Sequence, residues 1–283
     1  MIKLKNSVGN FKVLKVNKSN SVEADDLIVT EEPLQIRLQF LQDNEWIEKP
    51  ISITMRTPGN DFELVLGFLH NESIINSAKD ILQIKYCKTV KPEEEGNVIV
   101  VKLSPGISFD MTHLNRYFFT NSSCGICGKT AIDAVSNNCK NTHQNNLLKI
   151  DIETVWRLND LLAPEQTIFN YTGGIHASAL FTVHGEFEVV KEDVGRHNAL
   201  DKVIGNALIK ELLPLRNNIL FLSGRISFEL VQKAIRAGIC IIVAIGAPSG
   251  LAVKLAKENK ITIIGFLKKD RFNIYSHPER IIQ

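Results

Sequence analysis

Apolar residues in the last third of the chain form short, continuous runs separated by amphipathic stretches. The runs cover residues 219–222, 240–245 and 261–266. Such runs are typical of strands that are buried on both faces. Residues 227–238 and 249–259 carry apolar positions at helical spacing, and Gly238 ends the first of them as a C-terminal cap. The pattern predicts a β-α-β-α-β unit with a parallel sheet.

The earlier segments predict a second, strand-rich unit. Residues 36–42, 49–57 and 97–103 carry alternating or β-branched apolar residues, and residues 61–72 have helical spacing. Residues 179–190 predict a strand, a His-Gly turn and another strand, and the helix that follows carries an apolar stripe from Leu200 to Leu208. We therefore predict an α/β protein, α+β overall, with an N-terminal domain over residues 1–120 and a larger domain over residues 121–283.

Composition narrows the classes of partner. The chain has 283 residues, of which 44% are apolar, and its 33 Lys and Arg against 31 Asp and Glu leave a net charge of +2. This balance gives no general attraction to nucleic acid or to anionic membranes. No apolar run approaches the roughly 20 residues that span a bilayer, and the N-terminus lacks the features of a secretory signal. We predict a cytoplasmic protein with neither a nucleic-acid nor a membrane partner.

The loops after the three predicted parallel strands are expected to meet at one edge of the sheet, where open α/β folds bind ligands. Their sequences are SGRIS, GAPSG and KKDRF, and their polar side chains are Ser223, Arg225, Ser249, Lys268, Lys269 and Arg271. Positive side chains beside helix N-termini favour anions. The sequence therefore predicts a local anion site at this edge.

Two further groups of polar residues have open interpretations. His176 follows the Gly173-Gly174 turn, which we expect to lead into a helix, where a histidine can bind metal, transfer a proton or contact phosphate. A single histidine is more often structural. The segment EDVGRHNALD brings together Asp193, Arg196, His197, Asn198 and Asp201. Some of these residues are expected only to cap a helix and pair with one another.

Cys124 and Cys127 lie three positions apart in the glycine-flanked segment NSSCGICGKT. An odd total of five cysteines, without an export signal, disfavours a disulfide framework. A thiol near a helix N-terminus and a lysine has a lowered pKa, and its thiolate attacks disulfide or persulfide sulfur. The alternative is a pair of small residues in a turn.

A zinc site formed by the same pair with Cys139 and His143 has near zinc-finger spacing. Residues 128–138, however, lack the apolar positions that pack a small finger. We therefore predict no metal site.

The motifs taken together resemble the formate dehydrogenase accessory sulfur carrier family, FdhD. They are SSCGICGK, YTGGIHASA, EDVGRHNALDKVIG, LSGRISFELVQKAIRAGI, APSGLAVKLA and GFLKKDRFNIYSHPERI, and the likeness begins at about residue 50. The resemblance implies a cytoplasmic sulfurtransferase that takes persulfide sulfur from a cysteine desulfurase. It passes the sulfur to the molybdenum (or tungsten) bis-guanine-dinucleotide cofactor, which is required for formate dehydrogenase activity.

The resemblance also implies site residues. The family's cysteine pair falls on Cys124 and Cys127, the first being the expected persulfide carrier. Its cofactor-contacting stretch falls on Phe266, Leu267, Lys268, Lys269, Asp270 and Arg271. With the loop argument, we add Arg225, Ser223 and His176 to the expected cofactor site, which GDP is expected to occupy as well. The resemblance further implies a three-layer α/β/α, cytidine-deaminase-like C-terminal domain and a homodimer.

Gly246 and Ser249 depart from the family pattern, because serine and threonine are expected at these positions. Ser178 stands where a deaminase has its proton-shuttling glutamate, so deamination is not expected. Two rival functions stay open. One is a non-catalytic chaperone that binds and delivers the cofactor, and the other is a zinc-dependent hydrolase.

Overall fold

The computed structural model describes residues 7–107 and 148–282. The first range contains β1 Val8–Val16, β2 Ser21–Val29, β3 Glu32–Gln42, β4 Glu45–Arg56, α1 Asp61–Asn71, β5 Ile81–Tyr86 and β6 Val98–Leu103. The second begins with β7 Ile150–Asp151, α2 Ile152–Leu162, α3 Thr167–Thr172, β8 His176–Thr182, β9 Phe187–Asp193 and α4 Arg196–Ile209. It continues with β10 Asn218–Leu222, α5 Phe228–Arg236, β11 Ile241–Ala244, α6 Gly250–Glu258, β12 Thr262–Gly265, β13 Asn273–Ser276 and β14 Ile281–Ile282.

The first range forms a four-stranded sheet in the order β4-β3-β6-β5, in which β3 and β6 are parallel. Helix α1 packs against it, and Leu64, Val65 and Leu69 of the helix share a core with Leu34, Leu38 and Val101 of the strands. The predicted strands at 36–42, 49–57 and 97–103 and the helix at 61–72 are confirmed. Among the described strands, β1 and β2 pair with each other and with no other strand, in a separate antiparallel hairpin.

The second range forms a six-stranded sheet in the order β13-β12-β11-β10-β8-β9. Strands β10, β11 and β12 are parallel, as the three apolar runs predict, while β8, β9 and β13 are antiparallel to their neighbours. Helices α4, α5 and α6 share a core with one face of this sheet, and α2 shares another core with the opposite face. The layers are thus α/β/α, in a mixed α/β protein. The likeness to cytidine deaminases stays a prediction.

Helices α1 and α4 join the two sheets through an unusually close crossing. A Cβ on Gly67 would lie 1.9 Å from the carbonyl oxygen of Asp201, and one on Gly205 would lie 1.8 Å from that of Glu63. Only glycine allows this reciprocal backbone contact. Leu208 of α4 extends into the core of the first sheet. The predicted boundary between residues 120 and 121 lies outside the described residues and stays a prediction.

Within residues 7–107 and 148–282, no helix combines the length and apolar character that crossing a membrane requires.

His70, near the end of α1, predicts a loss of stability in mild acid. The side chain is buried and neither ring nitrogen has a described hydrogen-bond partner. Burial, and then the Arg236 charge, lower its pKa from 6.5 to about 4. His70 therefore binds a proton below about pH 6.5 in the unfolded chain but only below about pH 4 in the native state. The free energy of unfolding falls as the pH drops through this window.

At pH 5 we expect His70 to cost the native state about 2 kcal/mol. The measurement is the free energy of unfolding in urea at pH 7.5 and pH 5, for the wild type and His70→Leu. The variant should lose less stability than the wild type over this range, because it lacks the His70 side chain. Other groups titrate in both proteins, so the variant should still lose some stability. Equal losses would contradict a neutral buried His70.

Candidate functional site

The loops after β10, β11 and β12 meet at one edge of the six-stranded sheet, as the sequence predicts. The Ile226 N–H donates to the Ala247 carbonyl oxygen (3.0 Å), and the Ser249 N–H donates to the Ile226 carbonyl oxygen (2.9 Å). The Phe266 N–H donates to the Gly246 carbonyl oxygen (3.2 Å). Backbone hydrogen bonds therefore fix the three loops to one another and give the edge a continuous floor.

Glycines allow the first two loops to approach this closely. A Cβ on Gly246 would lie 2.6 Å from the Gly224 carbonyl oxygen and 2.8 Å from the Arg225 nitrogen. Gly246 stands where the family pattern led us to expect serine. A serine side chain at this position would have to displace the neighbouring loop. The glycine at position 246 is therefore what allows the two loops to pack this closely.

The third loop contains residues 266–271, for which the resemblance predicts contact with the cofactor. Leu267 is 3% exposed and packs in the core beneath the sheet edge, while Phe266 is 41% exposed and has a positive φ of 55°. The Lys268 N–H donates to the Arg271 carbonyl oxygen (2.9 Å), which closes a tight turn. This turn leaves four charged side chains exposed to solvent, namely Lys268, Lys269, Asp270 and Arg271. Arg225 is exposed on the first loop of the same edge. The edge thus combines an exposed aromatic ring with excess positive charge.

The two predicted serines both have structural hydrogen bonds. Ser223 Oγ accepts from the Ala177 N–H (2.8 Å), which ties β8 to the end of β10. Ser249 Oγ accepts from the Ala252 N–H (3.2 Å) as the N-cap of α6. Ser223 lies at the edge as predicted, and its hydroxyl proton is still able to donate to a ligand.

His176 lies at the same edge, but its predicted local structure is wrong. It is the first residue of strand β8 rather than part of a turn that enters a helix, because the chain after Gly173 and Gly174 extends to pair with β9 and β10. A Cβ on Gly224 would lie 3.2 Å from His176 Nδ1. Burial, followed by the nearby positive charges of Arg196 and His197, lowers the pKa of His176, and Asp193 opposes this shift.

The start of α4 completes the edge with residues that the sequence left open. His197 Nε2 lies 2.9 Å from Glu229 Oε2 and 3.1 Å from Ser227 Oγ. Arg196 is half-buried at the first position of the helix, and its Nε is buried with no described hydrogen-bond partner. Arg196 is missing from the predicted cofactor site. The sequence feature that could have indicated Arg196 is its position at the start of a helix. A positive side chain is unfavourable there because it lies at the positive end of the helix dipole.

A buried ion pair anchors the same helix to the first sheet. Asp193 Oδ2 lies 2.7 Å from Lys202 Nζ and accepts from the Thr57 N–H (3.2 Å). Lys202 Nζ also donates to the Thr57 carbonyl oxygen (2.9 Å). Asn198 Nδ2 donates to the Met55 carbonyl oxygen (2.7 Å). The predicted capping and pairing within this segment is confirmed for Asp193 and Asn198.

The predicted sulfur carriers Cys124 and Cys127 lie outside the described residues, as do Cys139 and His143 of the zinc alternative. Among the described cysteines, Cys240 is buried in the core and Cys87 is half-buried. Residues 7–107 and 148–282 contain no cluster of three or more His, Cys, Asp or Glu side chains able to hold a metal ion.

The structure is that of a mixed α/β protein with a cationic edge at the ends of three parallel strands. The chain belongs to the FdhD/NarQ family, whose model matches residues 29–282. The resemblance found in the sequence is therefore confirmed.

Two named relatives and one solved structure illustrate this likeness. The sulfur carrier protein FdhD of Streptomyces avermitilis is 43% identical over 273 residues, covering 95% of this chain and 94% of the relative. The protein of the same name from Sulfolobus acidocaldarius is 42% identical over 278 residues, covering 97% and 98%. The fold is similar to the crystal structure of a proposed formate dehydrogenase accessory protein from Desulfotalea psychrophila. That structure has a TM-score of 0.73, 23% identity, and coverage of 98% of this chain and 100% of that one.

Proposed function

We propose that the protein is a sulfur carrier that receives persulfide sulfur from a cysteine desulfurase and transfers it to a guanine-dinucleotide metal cofactor. The cargo is molybdenum or tungsten bis-molybdopterin guanine dinucleotide, and the sulfurated cofactor serves formate dehydrogenase. The protein acts in the cytoplasm as a homodimer. Membership of the FdhD/NarQ family over residues 29–282 is the observation that carries the proposal.

The sulfur would travel through Cys124 and Cys127. The Cys124 thiolate attacks the terminal sulfur of the desulfurase persulfide, which forms a Cys124 persulfide and releases the desulfurase thiolate. The Cys127 thiolate then attacks the inner sulfur. This step releases hydrosulfide to the metal and leaves a Cys124–Cys127 disulfide, which a cellular dithiol reduces again. In a second version, Cys127 only tunes the reactivity of Cys124.

The loop edge supports the cofactor half of the proposal. Lys268, Lys269, Arg271 and Arg225 offer charge-assisted hydrogen bonds to phosphate oxygens. The exposed ring of Phe266 offers a surface on which a purine base stacks. Its positive φ is a conformation that a bulky residue adopts at a cost, and such cost is concentrated at ligand sites. Cationic loops beside an aromatic ring suit a nucleotide better than they suit a small uncharged substrate.

The second candidate is a chaperone that binds and delivers the same cofactor without carrying sulfur. The observation that favours it is that the exposed Phe266 ring and the exposed cations of residues 268–271 suit nucleotide binding without the help of a thiol. Both candidates require nucleotide binding at the edge. Only the sulfur carrier requires the two thiols.

The test is mass spectrometry of the intact protein after incubation with a cysteine desulfurase and cysteine. The wild type should gain the mass of one sulfur atom on Cys124, and Cys124→Ala should gain none there. Activation of formate dehydrogenase should be lost in Cys124→Ala and reduced or lost in Cys127→Ala.

Cys87→Ala is the matched control, because Cys87 is a half-buried thiol away from the ligand edge. It should load sulfur and activate formate dehydrogenase as the wild type does. Full activation by a double Cys124→Ala/Cys127→Ala variant would reject the sulfur carrier and support the chaperone.

A further inference from the structure

Arg196 is a half-buried cation without a described partner. No carboxylate or carbonyl oxygen of residues 7–107 and 148–282 accepts a hydrogen bond from its guanidinium group, and its Nε is shielded from solvent. Guanidinium groups in proteins are always charged, and burying one without an acceptor is costly. The two other nitrogens of this guanidinium group are not shielded in this way, so an anion from outside the protein can reach them and offset the charge.

His176 lies beside Arg196 on the same surface. A Cβ on Gly224 would lie 3.2 Å from His176 Nδ1, 3.3 Å from its Cε1 and 3.9 Å from Arg196 Cδ. Both side chains therefore line the space above Gly224, where the loop after β10 begins. Neither ring nitrogen of His176 has a hydrogen-bond partner among the described residues.

The carboxylates near this pair are already occupied. Asp193 accepts from the Gly195 N–H (2.8 Å) and faces Lys202 (2.7 Å). Glu229 is bound to His197 (2.9 Å). Glu192 accepts from the N–H groups of Ile168 and Phe169, both at 2.8 Å. None of these three carboxylates is hydrogen-bonded to Arg196, although Glu229 Oε1 is buried without a described partner.

The local helix geometry adds to the demand for an anion. Helix α4 has no acidic residue in its first turn, and its N-cap Gly195 supplies no side-chain hydrogen bond. The free backbone N–H groups of a helix start carry partial positive charge, and here the Arg196 guanidinium group adds a full charge to it. His197, itself buried, keeps Nδ1 without a described partner.

We propose that Arg196 and His176 form a phosphate subsite above Gly224, separate from the cationic turn at residues 268–271. The inference rests on the proposed function only for the identity of the ligand as a nucleotide. The ends of β10 and β12 are two strand spacings apart, or about 10 Å. This spacing between the two cationic places fits an extended ligand with two separated anchoring groups, as a dinucleotide cofactor has.

The test uses inorganic pyrophosphate and GDP as probes, titrated into the full-length protein by calorimetry. Arg196→Gln should weaken pyrophosphate binding about tenfold, the worth of one charge-assisted hydrogen bond, and His176→Gln about threefold. Arg196→Lys keeps the charge and should bind better than Arg196→Gln. Thermal unfolding of each variant shows whether it is folded.

Matched controls are available at other exposed positions. Arg216 precedes β10 and His184 lies in the turn between β8 and β9, and both positions are at the opposite end of the sheet. Arg216→Gln and His184→Gln should bind pyrophosphate as the wild type does.

The outcomes test the phosphate subsite and the guanine-nucleotide part of the proposed function separately. Wild-type affinity in folded Arg196→Gln, or no pyrophosphate binding by the wild type, would overturn the subsite. Selective loss in the Arg196 and His176 variants would support it. If GDP binds no more tightly than pyrophosphate, the guanine-nucleotide part of the proposed function fails, although the phosphate subsite stands.

Discussion

Alanine at Gly205 should destabilise the protein by about 3 kcal/mol, although the same change in an open helix would be favourable. Glycine costs a helix interior about 1 kcal/mol relative to alanine, so helix propensity alone predicts a gain. The new methyl group would lie 1.8 Å from the Glu63 carbonyl oxygen and 2.6 Å from its carbonyl carbon. Both contacts are with backbone, which cannot swing aside as a side chain does. Helices α1 and α4 would have to separate, which loosens the cores on both sides.

The measurement is the free energy of unfolding in urea for Gly205→Ala, Gly67→Ala and the double variant. Each single variant should lose stability, and the double variant should lose less than the sum, because one separation of the helices relieves both clashes. Gly250→Ala is the control, since a Cβ at this first residue of α6 meets nothing within 4 Å. It should unfold at the wild-type denaturant concentration or slightly above. A neutral Gly205→Ala would show that the crossing is not tightly packed in solution.

This crossing marks the limit of what the sequence predicts. The periodic pattern correctly assigns α1 and α4 as helices, with Leu200 to Leu208 buried along one stripe. It does not reveal that Gly67 meets the backbone of Asp201 and Gly205 that of Glu63, because these contacts join positions far apart in the chain. From the sequence of either helix alone, the glycine indicates only a low helix propensity.

The parallel unit was predictable because its strands are apolar on both faces. Apart from the half-buried Asn218, every residue of strands β10, β11 and β12 is buried, so their continuous apolar runs stand out from the polar loops. The position of the ligand edge then follows from the handedness of the crossovers. The hairpin of β1 and β2 gave no such signal, because Phe11, Leu14 and Val22 are exposed and neither face is fully buried.

Helix α2 could have been predicted but was not. Asp151 accepts a hydrogen bond from the Glu153 N–H (2.8 Å) as its N-cap, and Val155, Leu158 and Leu162 bury one face. Both signals are present in the sequence.

At the site, sequence reasoning placed His176 at the correct edge but assigned it the wrong local structure. It could not tell which member of EDVGRHNALD lacks a partner, because that depends on the Lys202, Thr57 and Glu229 contacts.

The buried pair of Asp193 and Lys202 should be far more sensitive to substitution than an exposed pair of the same chemistry. Asp193 Oδ1 accepts from the Gly195 N–H (2.8 Å) and Asn198 Nδ2 (3.1 Å), while Oδ2 accepts from the Thr57 N–H (3.2 Å) and faces Lys202 Nζ (2.7 Å). An asparagine at position 193 would point its NH2 group at donors on one side. It would also leave the Lys202 charge buried without a counterion.

We expect Asp193→Asn to cost about 4 kcal/mol in the free energy of unfolding, as breaking buried pairs does. Lys202→Met should cost less, about 2 kcal/mol, because Asp193 keeps three N–H donors. Adding Lys202→Met to Asp193→Asn should then cost little more than Asp193→Asn alone, since the uncompensated charge is gone.

The control is Asp26→Asn, which breaks the exposed Lys15–Asp26 pair (3.3 Å) on the hairpin and should cost under about 0.5 kcal/mol. Urea unfolding of all four variants provides the comparison. If Asp193→Asn behaves like Asp26→Asn, then Thr57 is not held to the start of α4 through this carboxylate. In that case the crossing of α1 and α4 at Gly67 and Gly205, together with the Asn198–Met55 hydrogen bond, would hold α4 to the first sheet.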